Sequence, residues 1–276
     1  MSLIFKTLKR NSFVFFFFIH SVATAQVYQP RSVVGILGAF GEEVKLLVEA
    51  MDKPKTKKIH GMTFVTGTLR GQKVVVAETG IGKVNASMTT TLLLSHFRPK
   101  QVLFTGIAGG LNPALNPGDI VIGKEVGHHD YNWTTFNKVQ ARQTLDPIGQ
   151  RMNPAFFPAD SLLMTLVQKA SAKLSLEAIG GRTPSVVVGR IVTGDVFVSS
   201  EKLVETLRAD FQADATEMEG AAVAQVCFQQ RVPHLVIRSL SDKADAKARE
   251  TMLSFLKTAA RNSARLTMQV LEEMPR

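Results

Sequence analysis

The chain has 276 residues, 45% of them hydrophobic and 20% charged, and a formal net charge of +10. That balance excludes a disordered or collagen-like chain and leaves room for one large α/β domain with a buried sheet. Its single cysteine, Cys227, excludes an internal disulfide, so the core must supply the stability.

In chain order, residues 1–25 read as an export signal. Lys6, Lys9 and Arg10 form a basic start, residues 12–22 are a short apolar run, and Ala23-Thr24-Ala25 is a small-x-small cleavage site before Gln26. The run is about half the roughly 20 residues that a membrane span needs. The expectation is an exported, periplasmic protein without a stable membrane anchor. Its mature domain is 26–276, and loss of three cations takes the charge from +10 to +7.

A strand is expected at 33–37 and a helix at 42–51, where Val44, Leu47, Val48 and Met51 share one face. The basic cluster at 53–58 reads as a solvated loop. It has no interleaved aromatics, so no nucleic-acid partner is expected. Residues 62–69 and 73–77 form a hairpin, and 83–96 a helix that follows Gly80 and Gly82. A strand at 101–104 ends in a glycine-rich turn at 105–110, and another strand covers 119–126. Residues 127–158 hold three prolines, Tyr131 and Trp133, and read as an irregular functional loop. Then come a helix at 159–174, a strand at 185–192 and helices at 200–210 and 219–230, the second carrying a buried Cys227. A strand at 234–240 and a long helix at 248–273 complete the chain. This alternation implies a single-domain three-layer α/β/α fold.

Ligands of such folds gather at the carboxyl ends of strands. Gly106 to Gly110 lacks the helix-opening dinucleotide pattern, and no phosphate-loop signature occurs, so no cofactor is expected. Gly80-Ile81-Gly82-Lys83 is either an anion cradle or a tight turn into a helix. His128-His129-Asp130 invites a metal reading, but adjacent side chains point apart, and no metal site is expected. Six carboxylates remain near expected strand ends: Glu42, Glu43, Asp195, Glu217, Glu219 and Asp242. Paired carboxyls suit glycosidic cleavage, in which one activates water and another protonates the leaving group.

Seven segments in order carry a resemblance. They are residues 34–44 (VGILGAFGEEV), 79–84 (TGIGKV), 105–110 (TGIAGG), 117–121 (PGDIV), 193–197 (TGDVF), 217–221 (EMEGA) and 238–242 (RSLSD). Together they resemble the 5′-methylthioadenosine/S-adenosylhomocysteine nucleosidases, within the nucleoside phosphorylase superfamily. The resemblance implies a nucleoside phosphorylase-like fold and a homodimer that hydrolyses a small-molecule nucleoside. It further implies that Asp242 protonates adenine N7, Glu219 holds the ribose hydroxyls and Glu43 deprotonates the attacking water. Met218 would pack on the sugar and Phe197 on adenine, with the main chain of Val198 reading the base edge. Ala108 and Gly109 would line the substrate site and Ile81 the 5′ pocket, which a partner loop closes. Arg238 would sit near the water and sugar hydroxyls. Ile107, Met252 and the 127–158 loop depart from the family's usual pattern and bear on the 5′ substituent.

Two other readings stay open. A phosphorolytic relative would need a cationic phosphate pocket, and no arginine lies between Val33 and Arg70. A non-catalytic nucleoside-binding protein would have no need of an acid at N7.

Overall fold

The computed structural model describes residues 28–135, 138–141 and 143–275. The proposed signal at 1–25 lies outside them. Among the described residues, fourteen strands and six helices follow in order: β1 (Arg31–Gly38), α1 (Gly41–Glu49), β2 (Asp52–Ile59), β3 (Met62–Leu69), β4 (Gln72–Glu78), α2 (Lys83–Phe97), β5 (Pro99–Gly110) and β6 (Ile120–His128). Short strands come next: β7 (Asn132–Thr135), β8 (Lys138–Ala141), β9 (Leu145–Asp146), β10 (Arg151–Met152) and β11 (Phe156–Pro158). The rest are α3 (Ser161–Lys173), β12 (Val186–Thr193), α4 (Glu201–Phe211), β13 (Ala215–Glu217), α5 (Gly220–Gln229), β14 (His234–Asp242) and α6 (Ala248–Glu273).

The central sheet is mixed, in the order β11-β6-β12-β13-β5-β1-β4-β3-β2, and β14 bonds both β5 and β6. That double pairing closes β5, β14, β6, β12 and β13 into a ring, so half of the sheet is curled into a small barrel. β14 runs parallel to β5 and antiparallel to β6, and every one of its residues is buried. Helices cover both faces. Leu47 of α1, Val167 of α3 and Leu266 of α6 share one apolar cluster with Ile36 and Ile237. Leu93 of α2 and Val223 of α5 share another with Phe104 and Val236. The expected α/β architecture is therefore present, with the barrel as a refinement.

Two local expectations are corrected. The basic cluster is strand β2 rather than a loop, pairing antiparallel with β3 at the sheet edge. All of its residues except Ile59 are exposed, and lysines on an edge strand oppose pairing with another chain. The glycine-rich segment 105–110 is not a turn either, because β5 continues through it to Gly110. The bare Cα atoms serve close approach instead: a Cβ on Gly106 would lie 2.4 Å from Glu43 Oε1 and 2.7 Å from Arg238 Nη1. The expected irregular loop contains the short strands β7 to β11, and β11 joins the main sheet beside β6.

Candidate active site

A cavity opens at the carboxyl ends of β1, β5, β13 and β14. Glu43, Ile81, Ala108, Gly109, Phe197, Met218, Glu219 and Asp242 all line it. A small recess continues from its inner end, and Val198 enters there beside Gly109 and Asp242. Nine of the ten expected site residues thus converge from distant points of the chain. A larger cleft sits beside the start of β14, but its carboxylates are committed elsewhere. Asp146 accepts from the amides of Ile148 and Gly149, and Asp160 caps α3 through Leu163 N.

Glu43 is the third residue of α1, a position from which a carboxylate reaches back to the helix entrance. Its Oε2 accepts from Ala39 N and, at 3.4 Å, from Phe40 N, while Oε1 accepts from Ile107 N at 2.9 Å. Burial raises its pKa; the nearby Arg238 charge and these three amides act in opposition. A basic carboxylate held by fixed amides can accept a proton without moving.

Asp242 ends β14 and is buried. Ser241 Oγ donates to its Oδ2 at 2.6 Å, and Ala244 N donates to Oδ1 at 2.7 Å. Burial pushes its pKa up, and these two hydrogen bonds pull the other way. A carboxyl biased toward its protonated form is suited to act as a general acid.

Glu219 precedes α5, and its Oε1 accepts from Gly82 N at 2.8 Å. Its pKa is pushed up to about 8, first by burial and then by the charge of Glu217, with Arg238 and the Gly82 amide opposing. The cause of that imbalance is geometric. Arg238 lies 2.6 Å from Glu217 Oε2 but 3.9 Å from Glu219 Oε2, so the cation is spent mainly on Glu217.

Arg238 stands close to both Glu43 and Glu219. It is fully buried, packs 4.0 Å above the Phe104 ring and does not line the cavity. It lies behind Gly106 beside Glu43, where it ties Glu217 down. Glu217, which sequence reasoning left without a role, is the hub of this layer. It accepts from Thr193 Oγ1, Glu219 N and Gly220 N as well as from Arg238. The two carboxylates part because Glu217 ends β13 while Glu219 already caps α5, a change of element within three residues.

The Gly80–Lys83 segment does donate to two acceptors, and both are the protein's own carboxyl groups. Gly82 N donates to Glu219 and Lys83 N to Asp195 Oδ1, each at 2.8 Å. Gly82 has φ +95°, a conformation that favours glycine. Asp130 completes the tie by accepting from Lys83 Nζ at 2.5 Å and from Asp195 N at 2.9 Å. This network joins Ile81 to the segment that carries Phe197, so two walls of the cavity are held together. Cys227 is wholly buried, and burial raises its thiol pKa, which fits a packing role. Sequence reasoning also passed over Ala39, Phe40, Thr216 and Ser241, all of which line the cavity. Ile107 and Met252, the two noted departures, line it too.

The profile of the phosphorylase superfamily matches residues 33–272. The 5′-methylthioadenosine/S-adenosylhomocysteine nucleosidase of Pseudoalteromonas translucida is 40% identical over 243 residues, covering 87% of this chain and 97% of the relative. Among solved structures, the nucleosidase of Colwellia psychrerythraea in complex with adenine is similar at 38% identity and TM-score 0.79, covering 90% of this chain and 97% of that one. The Neisseria meningitidis nucleosidase in complex with methylthio-immucillin-A is similar at 35% identity and TM-score 0.75, covering 88% and 100%. Futalosine hydrolase of Helicobacter pylori is similar at 30% identity and TM-score 0.76, covering 88% and 98%. On the converging site, the matched length and these identities, the chain belongs to the 5′-methylthioadenosine/S-adenosylhomocysteine nucleosidase family of the phosphorylase superfamily.

Proposed function

We propose that the protein hydrolyses the N-glycosidic bond of 5′-methylthioadenosine and S-adenosylhomocysteine, releasing adenine and the thioribose sugar. The observation that carries the mechanism is the separation of two buried carboxyls along β5. Glu43 is bonded to Ile107 N, and Asp242 pairs with Gly109. Two residues of strand place these anchor points about 7 Å apart, so a nucleoside can meet the acid at its base and the base at its sugar. Asp242 protonates N7, and adenine leaves neutral. Glu43 takes a proton from water as it attacks the anomeric carbon. Glu219 accepts the ribose hydroxyls, Met218 packs on the sugar, Phe197 stacks on the base, and the Val198 main chain reads the base edge. Arg238 acts through Glu217 as a positioning residue.

Water rather than phosphate is the nucleophile in this reading. The α2 N-terminus, the natural seat for a phosphate, already holds Glu219 and Asp195. Glu43 adds a like charge that disfavours an anion beside it. The test is product analysis of purified protein with a panel of 5′-substituted adenosines, with and without phosphate. Free thioribose and adenine at a phosphate-independent rate are expected. Accumulation of a ribose 1-phosphate derivative overturns the hydrolase reading, and failure to release adenine from any of them overturns the function.

The protein is further proposed to act as an exported homodimer. Ile81, at the cavity mouth just before α2, and Val84 and Met88, four apart on α2, are all exposed. A partner subunit covering them would also close the 5′ end of the site. Light scattering at micromolar concentration tests the assembly. N-terminal sequencing of protein from the cell envelope tests export, with Gln26 the expected first residue.

A further inference from the structure

The base recess contains one polar group that the mechanism above does not use. Thr216 is 5% exposed, and its Oγ1 is buried without a hydrogen-bond partner among the described residues. A buried hydroxyl left unpaired costs about 1 to 3 kcal/mol. Valine would fill the same volume in this strand without that cost, so the hydroxyl calls for a partner from outside the fold.

Strand register shows where that partner lies. In the antiparallel β13–β5 pair Thr216 stands opposite Gly109, and in the parallel β5–β14 pair Gly109 stands beside Asp242. Thr216, Gly109 and Asp242 therefore form one row across three strands. Residues paired directly across a ladder project to the same face. On that face a Cβ at Gly109 would come within 3.1 Å of Asp242 Oδ1. Two strand spacings set the flanking Cα atoms about 10 Å apart, with nothing but a glycine between them. All three residues line the recess at the inner end of the cavity. A flat heterocycle lying over Gly109 would have the acid at one edge and the hydroxyl at the other.

We infer that the Thr216 hydroxyl is a base-binding group that donates a hydrogen bond to N3 of the adenine ring. The assignment rests on reading the cavity as an adenine site. With N7 given to Asp242 and the base edge to the main chain of Val198, N3 is the ring acceptor left for the hydroxyl. Thr216 thus adds recognition of the ring nitrogen opposite the imidazole edge, selecting bases with an acceptor there.

Calorimetric binding of free adenine and of 3-deazaadenine, which lacks the N3 acceptor, tests this in the full chain. Thr216→Val should weaken adenine binding about tenfold, the scale of one neutral hydrogen bond, and raise KM for 5′-methylthioadenosine alike with kcat little changed. The same variant should bind 3-deazaadenine as the wild type does, and Thr216→Ser should retain adenine affinity. Melting of Thr216→Val should be no lower than wild type, because an unpaired hydroxyl is removed. Equal affinity of Thr216→Val and wild type for adenine overturns the inference, as does an equal loss against both bases. A lowered melting temperature assigns the hydroxyl to the fold and overturns it as well. If wild-type protein releases no adenine from 5′-methylthioadenosine, the functional reading fails instead, which the wild-type assay alone reveals.

Discussion

The two ends of the cavity are built on different terms. At the base end, Asp242, Gly109 and Thr216 lie on strands, where register and buried hydrogen bonds fix them, and Val198 enters from the β12–α4 connection. At the mouth, Ile81 is 56% exposed and Met252 contributes from the long final helix. The walls there are joined mainly by the Lys83, Asp130 and Asp195 network at the surface. The contrast teaches a division of labour: reacting groups need fixed geometry and low solvent access, whereas discrimination between 5′ substituents needs only an adaptable apolar rim. Substitutions at the inner end should therefore cost catalysis or folding, and those at the mouth should redistribute specificity.

The largest effect is expected at the acid. Asp242→Asn keeps the shape but cannot deliver a proton in the same way, and general acid catalysis contributes about 10² to 10⁴-fold. Adenine release should fall by that factor with melting unchanged. Near-normal turnover would remove Asp242 from the mechanism and erase the distinction between the two ends.

Arg238 should be next, with a readout in stability. Arg238→Met leaves Glu217 buried without its cation, and breaking one side of a buried pair costs about 3 to 5 kcal/mol. Urea unfolding should show that loss. Replacing Glu217 by Gln in the same chain should recover part of it, because the stranded charge is gone. An unchanged midpoint in the single variant would mean that Arg238 does not neutralise this layer.

Glu219 gives a smaller, pH-dependent effect. Its folded pKa of about 8 lies above the usual carboxylate value, so the folded state binds the proton more tightly than the unfolded one. The stability it contributes is full below the unfolded pKa and is lost as pH rises through about 8. Melting of the wild type should decline from pH 6 to 9 more steeply than that of Glu219→Gln. The variant should be the more stable at pH 9 and the poorer enzyme throughout. Parallel melting curves would show that Glu219 is not held under electrostatic stress.

The mildest change is at the mouth. Met252→Ala removes part of the rim while leaving the recess intact, so the ratio of kcat/KM values for methylthio and homocysteinyl substrates should shift by a few-fold, the scale of one or two methylene contacts. Calorimetry with free adenine should detect no change. A loss of adenine affinity would show that the two ends are mechanically coupled.

Much of the inner end was legible in the sequence because its motifs are short and local. The helix-entry position of Glu43 and the strand-end position of Asp242 each depend on a few neighbouring residues, and Glu217-Met218-Glu219 is a compact motif at the entrance to α5. The alternation of apolar periods likewise determined an α/β architecture and the placement of its helices within a few residues. Tertiary structure alone decided three things. The glycine-rich 105–110 segment is strand because its ladder partners on β14 and β13 override its low β propensity, and Gly106 stays bare to admit Glu43 and Arg238. The basic 53–58 segment is strand because β3 offers it an edge, which charge counts along the chain do not reveal. Arg238 is paired with Glu217, 21 residues away in the chain, because the fold brings the two within 2.6 Å. In each case the deciding interaction joins residues far apart in sequence, and only the closed fold brings their charges and hydrogen-bonding groups within a few ångströms.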